Sequence, residues 1–214
     1  ALRRDGVIDP REDRLAAEDR RAVADHVAEF QTVMFAKGND RDYVTQAVAR
    51  VTHILKKCEA QRIGELTGSA VQRAIGELRA AGKSLATCNG YLRSIKCFTA
   101  WLHRDKRLRE DPLKMLSTFN EASDRRHIRR EPTAEEFSWL VVTTRARATE
   151  NHSLSGPDRA MLYLLAAGTG LRASELRSLV KESFEFDTDP PVVKIAAAYS
   201  KRRRDDVQPI PVDL

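Results

Sequence analysis

Apolar residues recur at helical spacing through the first hundred positions. From Arg11 to Ala36, Val23, Val27, Phe30 and Met34 follow one another at steps of three or four, which predicts one helix stopped by Lys37-Gly38-Asn39-Asp40. Arg41 to Lys57 predicts a second, with Val44, Val48, Val51 and Leu55 as its apolar line. Thr67 opens a third that carries Val71, Ile75 and Leu78 and stops at Gly82. Ser84 opens a fourth, continuing to about Arg104, with Leu85, Cys88, Leu92, Ile95, Thr99 and Leu102 as its inward stripe. Four amphipathic helices on short loops predict a small bundle.

The pattern changes after Asp105. The next stretch is rich in charge, contains Pro112 and ends in Asp124-Arg125-Arg126-His127-Ile128-Arg129-Arg130-Glu131-Pro132, which reads as an interdomain linker. Thr133-Ala134-Glu135-Glu136 is a capping box ahead of apolar Phe137 and Leu140. Helices are expected at 133–146, at 157–167 with Pro157 in the first turn, and at 172–180. Val192-Val193-Lys194-Ile195 and Val207-Gln208-Pro209-Ile210 are strand-like, with Ser200 to Asp205 as the turn of a hairpin and Pro209 marking an edge strand. The expected organisation is an N-terminal extension at 1–17, a bundle domain at 18–120, a basic linker at 121–132 and a second domain at 133–214.

Length and composition narrow the classes. The 214 residues, 42% of them apolar, allow one large or two ordinary domains. Lys and Arg number 37 against 31 Asp and Glu, and the isoelectric point is near 9.4, which favours a polyanionic partner. No apolar run approaches the roughly 20 residues of a membrane span. The start, Ala1-Leu2-Arg3-Arg4-Asp5-Gly6, is too polar for a signal peptide. Cys58, Cys88 and Cys97 are odd in number and lack metal-ligand spacing, so they are expected to be small buried residues in a reducing cytosol.

The stretch that carries candidate chemistry is Ala167-Gly168-Thr169-Gly170-Leu171-Arg172-Ala173-Ser174-Glu175-Leu176. A glycine break precedes a helix start, and Arg172 sits in the first turn. Free N–H groups at a helix start attract anions, and a guanidinium adds a permanently charged fork that suits a phosphate. Glu175, three residues on, lies on the same face and can hold Arg172 in one rotamer. The same residues also read as ordinary turn chemistry and a structural salt bridge.

A second candidate is the fourth helix. Asn89, Arg93 and Lys96 form a stripe with no acid among them, suited to a major groove in which Arg reads guanine and Asn reads adenine. Thr87 is placed to hold a phosphate. Arg41, Tyr43, Thr45, Gln46 and Arg50 make a similar offer on the second helix. Arg125, Arg126, Arg129 and Arg130 in the linker, and Arg202 and Arg203 in the hairpin turn, would track a phosphate backbone. The plain alternative for these faces is solvation.

The order of features resembles the tyrosine recombinases, the phage-integrase family: a bundle, a basic linker, Thr169-Gly170-Leu171-Arg172-Ala173-Ser174-Glu175-Leu176, then a hairpin bearing a lysine. Ser84-Leu85-Ala86-Thr87-Cys88-Asn89-Gly90-Tyr91-Leu92, with Phe98 and Trp101-Leu102, is similar to the last long helix of that family's core-binding domain. Asp111-Pro112-Leu113 is similar to its usual exit. The resemblance implies a mainly α chain: a SAM-like four-helix core-binding bundle, then part of an α+β catalytic domain with a small β-hairpin. It implies duplex DNA as partner, no metal or nucleotide cofactor, and strand exchange through a 3′-phosphotyrosyl intermediate. Arg172 would bind the scissile phosphate and Glu175 would support it. Lys201 would protonate the departing 5′ oxygen, although Lys201-Arg202-Arg203-Arg204 also reads as a phosphate-tracking run.

The chain departs from that pattern after Lys201. The family's later His-x-x-Arg box, its further His or Trp, and its tyrosine nucleophile do not follow before Leu214. Tyr43, Tyr91, Tyr163 and Tyr199 all lie upstream. His127-Ile128-Arg129-Arg130 has the spelling of the box but precedes Arg172, so it is read as part of the basic linker. The expectation is a truncated recombinase, cytoplasmic and nucleoid-associated, that grips DNA without cutting it. The family assembles as tetramers on DNA, and this chain alone is expected to be monomeric. Two other readings stand beside it: a non-catalytic integrase-derived DNA-binding regulator, and a helical adaptor whose basic runs only solubilise it.

Overall fold

The computed structural model describes residues 9–148, 154–200 and 203–211. The chain divides into two compact units, one running to Ile128 and one starting at Arg129. It is mainly helical, with eight α-helices and a three-stranded antiparallel sheet among the described residues.

The first unit holds α1 (Pro10–Arg20), α2 (Val23–Ala36), α3 (Arg41–Lys57), α4 (Gly68–Ala80) and α5 (Leu85–Arg104). Side chains that compete for backbone groups set the starts. Asp40 caps α3, Thr67 caps α4 and Ser84 caps α5, each accepting from an N–H of the first turn. The core is one cluster. Phe98, Ile95, Leu102 and Cys88 of α5 meet Phe30 and Met34 of α2, Val44, Val51 and Ile54 of α3, and Val71 and Ile75 of α4. Phe30 sits edge-on to Phe98 at 5.4 Å between ring centres and also meets Trp101 at 5.4 Å, the offset geometry aromatic rings prefer.

The single helix expected from Arg11 to Ala36 is two helices, α1 and α2. At the break, the Val23 N–H bonds the Gln61 carbonyl at 2.9 Å instead of continuing the helical ladder. The Asp19 carboxylate accepts the Gly64 N–H at 2.8 Å. These partners are some forty residues away in sequence, so apolar spacing carries no trace of them. α1 buries no residue; ion pairs and hydrogen bonds hold it instead. Glu18 pairs with Arg21 at 2.9 Å and lies 3.8 Å from Arg107, which in turn pairs with Glu29 at 2.6 Å and with Asp105 at 2.7 Å and lies 4.5 Å from the centre of the Trp101 ring.

His26 is fully buried beneath this knot. Its Nε2 is 3.1 Å from the Glu18 carbonyl, and its Nδ1 is 3.1 Å from the Arg107 guanidinium. A guanidinium only donates, so Nδ1 accepts and Nε2 carries the proton, which is the neutral ring. Burial, with help from the Arg21 and Arg107 charges and against the Glu18 contacts, pushes the His26 pKa below its ordinary 6.5.

The cysteines differ from expectation. Cys88 is buried, but Cys58 is only half-buried and Cys97 is exposed. Burial pushes the Cys58 and Cys88 thiols up from their ordinary pKa, which disfavours the thiolate at both.

The second unit holds α6 (Ala134–Ala146), α7 (Gly156–Thr169) and α8 (Ala173–Arg177), then β1 (Phe184–Glu185), β2 (Val192–Ile195) and β3 (Asp206–Pro209) in the order β1-β2-β3. The capping box at Thr133 and Glu136 forms as expected. Gly156 is required where α7 starts against the end of α6: a Cβ there would stand 2.3 Å from the Arg147 carbonyl oxygen and 2.6 Å from that of Thr144. The helix expected over 172–180 stops at Arg177. Ser178 Oγ donates to the Glu175 carbonyl at 2.7 Å, and this local bond competes with helix continuation. β2 pairs with β3 in the register Val193 to Gln208, and Val193 and Ile195 point to the buried face. The third strand, β1, is only two residues long and pairs Phe184 with Val193. Pro209 lies on β3, an edge strand, as the sequence indicates.

Phe98→Ala is expected to destabilise the first unit by about 3–5 kcal/mol in urea denaturation, because its ring is fully enclosed. His26 predicts acid sensitivity. The unfolded chain accepts a proton near pH 6.5 that the native ring resists, so stability is present above that value and lost as pH falls through the lowered native pKa. The denaturation midpoint should drop between about pH 7.5 and about pH 5.5, and His26→Gln should flatten that part of the profile.

Candidate nucleic-acid interface

In the first unit, the candidate residues separate into groups that the sequence could not distinguish. Asn89 is fully buried. Its Nδ2 donates to the Phe119 carbonyl at 2.9 Å and to Glu121 at 2.8 Å, and its Oδ1 accepts the Phe119 N–H at 2.8 Å. An amide spent in this way cannot read a base, so the expectation of a base-reading Asn89 is corrected. Arg93 pairs with Glu121 at 2.7 Å. The Lys96 ammonium donates to the Leu116 carbonyl. The stripe that looked free of acid is instead where the chain leaving the bundle is tied down. Thr87 is half-buried, with its hydroxyl 2.9 Å from that of Ser84 at the start of α5.

The presumed linker is likewise divided. Glu121–Asp124 forms a 3₁₀ turn docked on α5, with Asp124 accepting the Leu85 N–H at 2.7 Å. Arg126 bonds Asp124 at 2.9 Å and the carbonyls of Gly82 at 2.7 Å and Lys83 at 3.2 Å, which makes it a strap across the end of α4. Arg130, in the second unit, forks onto both oxygens of Glu136 at 2.6 Å each. Arg125 and Arg129 are exposed.

On α3, nine residues amount to about two and a half turns, so Arg41 and Arg50 lie on opposite flanks. Arg41 and Thr45 are exposed on one flank. On the other, Tyr43 and Arg50 meet Gly90, Arg93, Ser94 and Cys97 of α5 around a cleft of about 250 Å³. The Arg50 guanidinium lies 5.9 Å from the centre of the Tyr91 ring, within cation–π reach. The His53 ring is 5.2 Å from the same ring, and its Nε2 is buried without a hydrogen-bond partner among the described residues. Gly90 and Tyr91 are not among the expected site residues. A glycine in the middle of a helical pattern was the signal that could have found them.

In the second unit, α7 ends on Gly170, whose φ of 68° is the left-handed cap that glycine adopts without strain. This turn brings Arg172 to the N-cap of α8, one position earlier than the expected first turn. Glu175 secures it twice: one carboxylate oxygen accepts the Arg172 N–H at 2.8 Å and the other accepts the guanidinium at 3.0 Å. The Glu175 side chain is 7% exposed and that of Arg172 is 57% exposed. A buried acid therefore holds a guanidinium whose remaining donors face solvent. α8 is too short to add much dipole, so the charge on offer is that of Arg172 itself. Arg203 is exposed with φ of 52°. Lys201 and Arg202 lie outside the described residues.

Among the described residues, no helix is long and apolar enough to cross a membrane. Compared by sequence alone, the chain matches no family model and no curated protein. Compared by structure, its fold is that of the phage and transposon integrases. It matches a lambda integrase tetramer bound to a Holliday junction with a TM-score of 0.66 at 13% identity, over 94% of this chain and 55% of that one. It matches the Tn1549 transposon integrase in complex with a circular-intermediate DNA with a TM-score of 0.58 at 16% identity, over 89% of this chain and 58% of that one. The same integrase with transposon right-end DNA gives 0.53 at 16% identity, over 90% and 58%. The chain thus spans between 55% and 58% of the length of these integrase chains.

Asn89→Ala would leave the Phe119 N–H and the Glu121 carboxylate without their buried partner. Urea denaturation should show a loss of about 1–3 kcal/mol, and hydrogen exchange should show residues 119–124 opening first.

Proposed function

We propose that this chain is the DNA-gripping part of a site-specific tyrosine recombinase, acting in the cytoplasm alongside the nucleoid. The observation that carries the reading is the Arg172–Glu175 pair, in which a solvent-facing guanidinium is fixed by a buried carboxylate, in a chain with an integrase fold. The net charge of +6 supports a polyanionic partner. The lambda and Tn1549 structures are themselves complexes with DNA.

In this reading Arg172 holds the non-bridging oxygens of the phosphate to be attacked. Phosphoryl transfer builds charge on those oxygens, and a donor already in place stabilises it without reorganising. Glu175 acts through Arg172: it removes the rotamer freedom that a long side chain would otherwise lose on binding. Lys201 is assigned the proton for the leaving 5′ oxygen, and Arg125, Arg129 and Arg203 supply backbone contacts. Arg126 and Arg130 contribute local positive potential while bound to their own partners.

Two measurements test this. Duplex binding by the chain should weaken steeply with salt, about a thousandfold between roughly 50 and 200 mM if some six phosphates are contacted. Weak binding without salt dependence would favour the adaptor reading. On a nicked duplex, the complete translation product of the gene should trap a covalent adduct, reduced at least about a hundredfold by Arg172→Ala. Tight binding without any adduct would leave the regulator reading in its place.

A further inference from the structure

Gly90 lies inside α5, where glycine is the poorest choice after proline for holding a helix. The groups its missing side chain makes room for are all atoms of one residue. A Cβ built on Gly90 would stand 3.0 Å from Arg50 Cζ, 3.1 Å from Nη1 and 3.2 Å from Nη2. The guanidinium lies against the bare backbone of α5, with the Tyr91 ring 5.9 Å away. Arg50 is half-buried, and among the described residues no carboxylate lies within ion-pair distance of it. By contrast Arg21, Arg93, Arg107, Arg109, Arg126 and Arg130 each have an acidic partner. A positioned, partly desolvated guanidinium without a counter-charge is a site for an anion.

We infer that Arg50, seated in the notch left by Gly90 and steadied by Tyr91, is a pre-organised phosphate clamp that takes one backbone phosphodiester of duplex DNA at the α3–α5 cleft. This rests on the DNA-binding reading above and sharpens it. The occupant is a phosphodiester because the guanidinium fork matches two phosphate oxygens and a second guanidinium, that of Arg93, lines the same cleft of about 250 Å³. Arg93, on the same rim, already has Glu121 at 2.7 Å and is the weaker of the two anchors. A phosphate contact positions the bundle on the duplex and carries no sequence information.

The experiment is a salt titration of duplex binding by the 214-residue chain and three variants, with a melting curve for each. Arg50→Ala should weaken binding roughly tenfold, equally for unrelated sequences, and lower the slope of log affinity against log salt by about one contact. Gly90→Ala keeps every charge and improves helix propensity. Its Cβ would move the guanidinium by a few tenths of an ångström, so it should reproduce a part of that loss, with a melting temperature no lower than that of the unaltered chain. Arg50→Lys should fall between, since an ammonium keeps the charge without the fork or the stack. Should Gly90→Ala melt early, Tyr91→Leu serves in its place with the same expectation. Steep, salt-dependent binding unchanged by Arg50→Ala would overturn the clamp and leave the DNA-binding reading intact. Absence of salt-dependent binding by the unaltered chain would overturn both. Preference for duplex RNA with the same Arg50 dependence would overturn DNA as the occupant.

Discussion

The buried face of α5 is what the first unit is built on. Phe98, Ile95, Leu102 and Cys88 are fully enclosed, and α2, α3 and α4 each place their apolar line against them. Burying side chains of this size supplies on the order of 1.5–3 kcal/mol each, so a stripe of them outweighs any single polar contact in the unit. Because the helix is long, its other positions are then fixed in space. Asn89 reaches the departing chain at Phe119, Arg93 reaches Glu121, and Gly90 faces Arg50. The polar features of the unit follow from the orientation that the apolar stripe imposes.

Charge is then sorted by whether the fold supplies a partner. Arg126 and Arg107 are consumed within the first unit, one strapping the end of α4 and the other knotting α2 to the end of α5. Arg130 is consumed at the start of α6. Arg172 is the instructive intermediate: Glu175 neutralises part of it and fixes it, yet leaves most of its surface open. Among the described residues several of the chain's cations are therefore already paired, and it offers a polyanion fewer than its 37 basic residues imply. The ones it offers are distinguished by geometry rather than by local sequence.

Much of the fold was legible in the residues. The caps at Thr67, Ser84 and Thr133, the stop at Gly82, and the edge proline in β3 are local chemistry, and local chemistry is visible in sequence. The Arg172–Glu175 pair was legible for the same reason, since three residues of helix bring them together. The break between α1 and α2 was not, because Gln61 and Gly64 impose it from a distance. β1 was too short to show a period. The role of Asn89 was not legible, because the segment that folds back over the stripe it shares with Arg93 and Lys96 lies some thirty residues further along the chain.

The sequence alone determined most of which residues form helices, the caps that start several of them, and that an arginine and a glutamate stand one helical turn apart at a glycine-bounded start. These depend on neighbours within a few positions. Only the tertiary structure decided which polar groups are already satisfied. Whether Asn89 reads a base or holds Phe119, and whether Arg126 or Arg50 is free to meet a phosphate, depends on groups about thirty to forty residues away. The apolar packing of α5 brings those groups within hydrogen-bonding reach, and a buried polar atom takes whichever partner packing delivers.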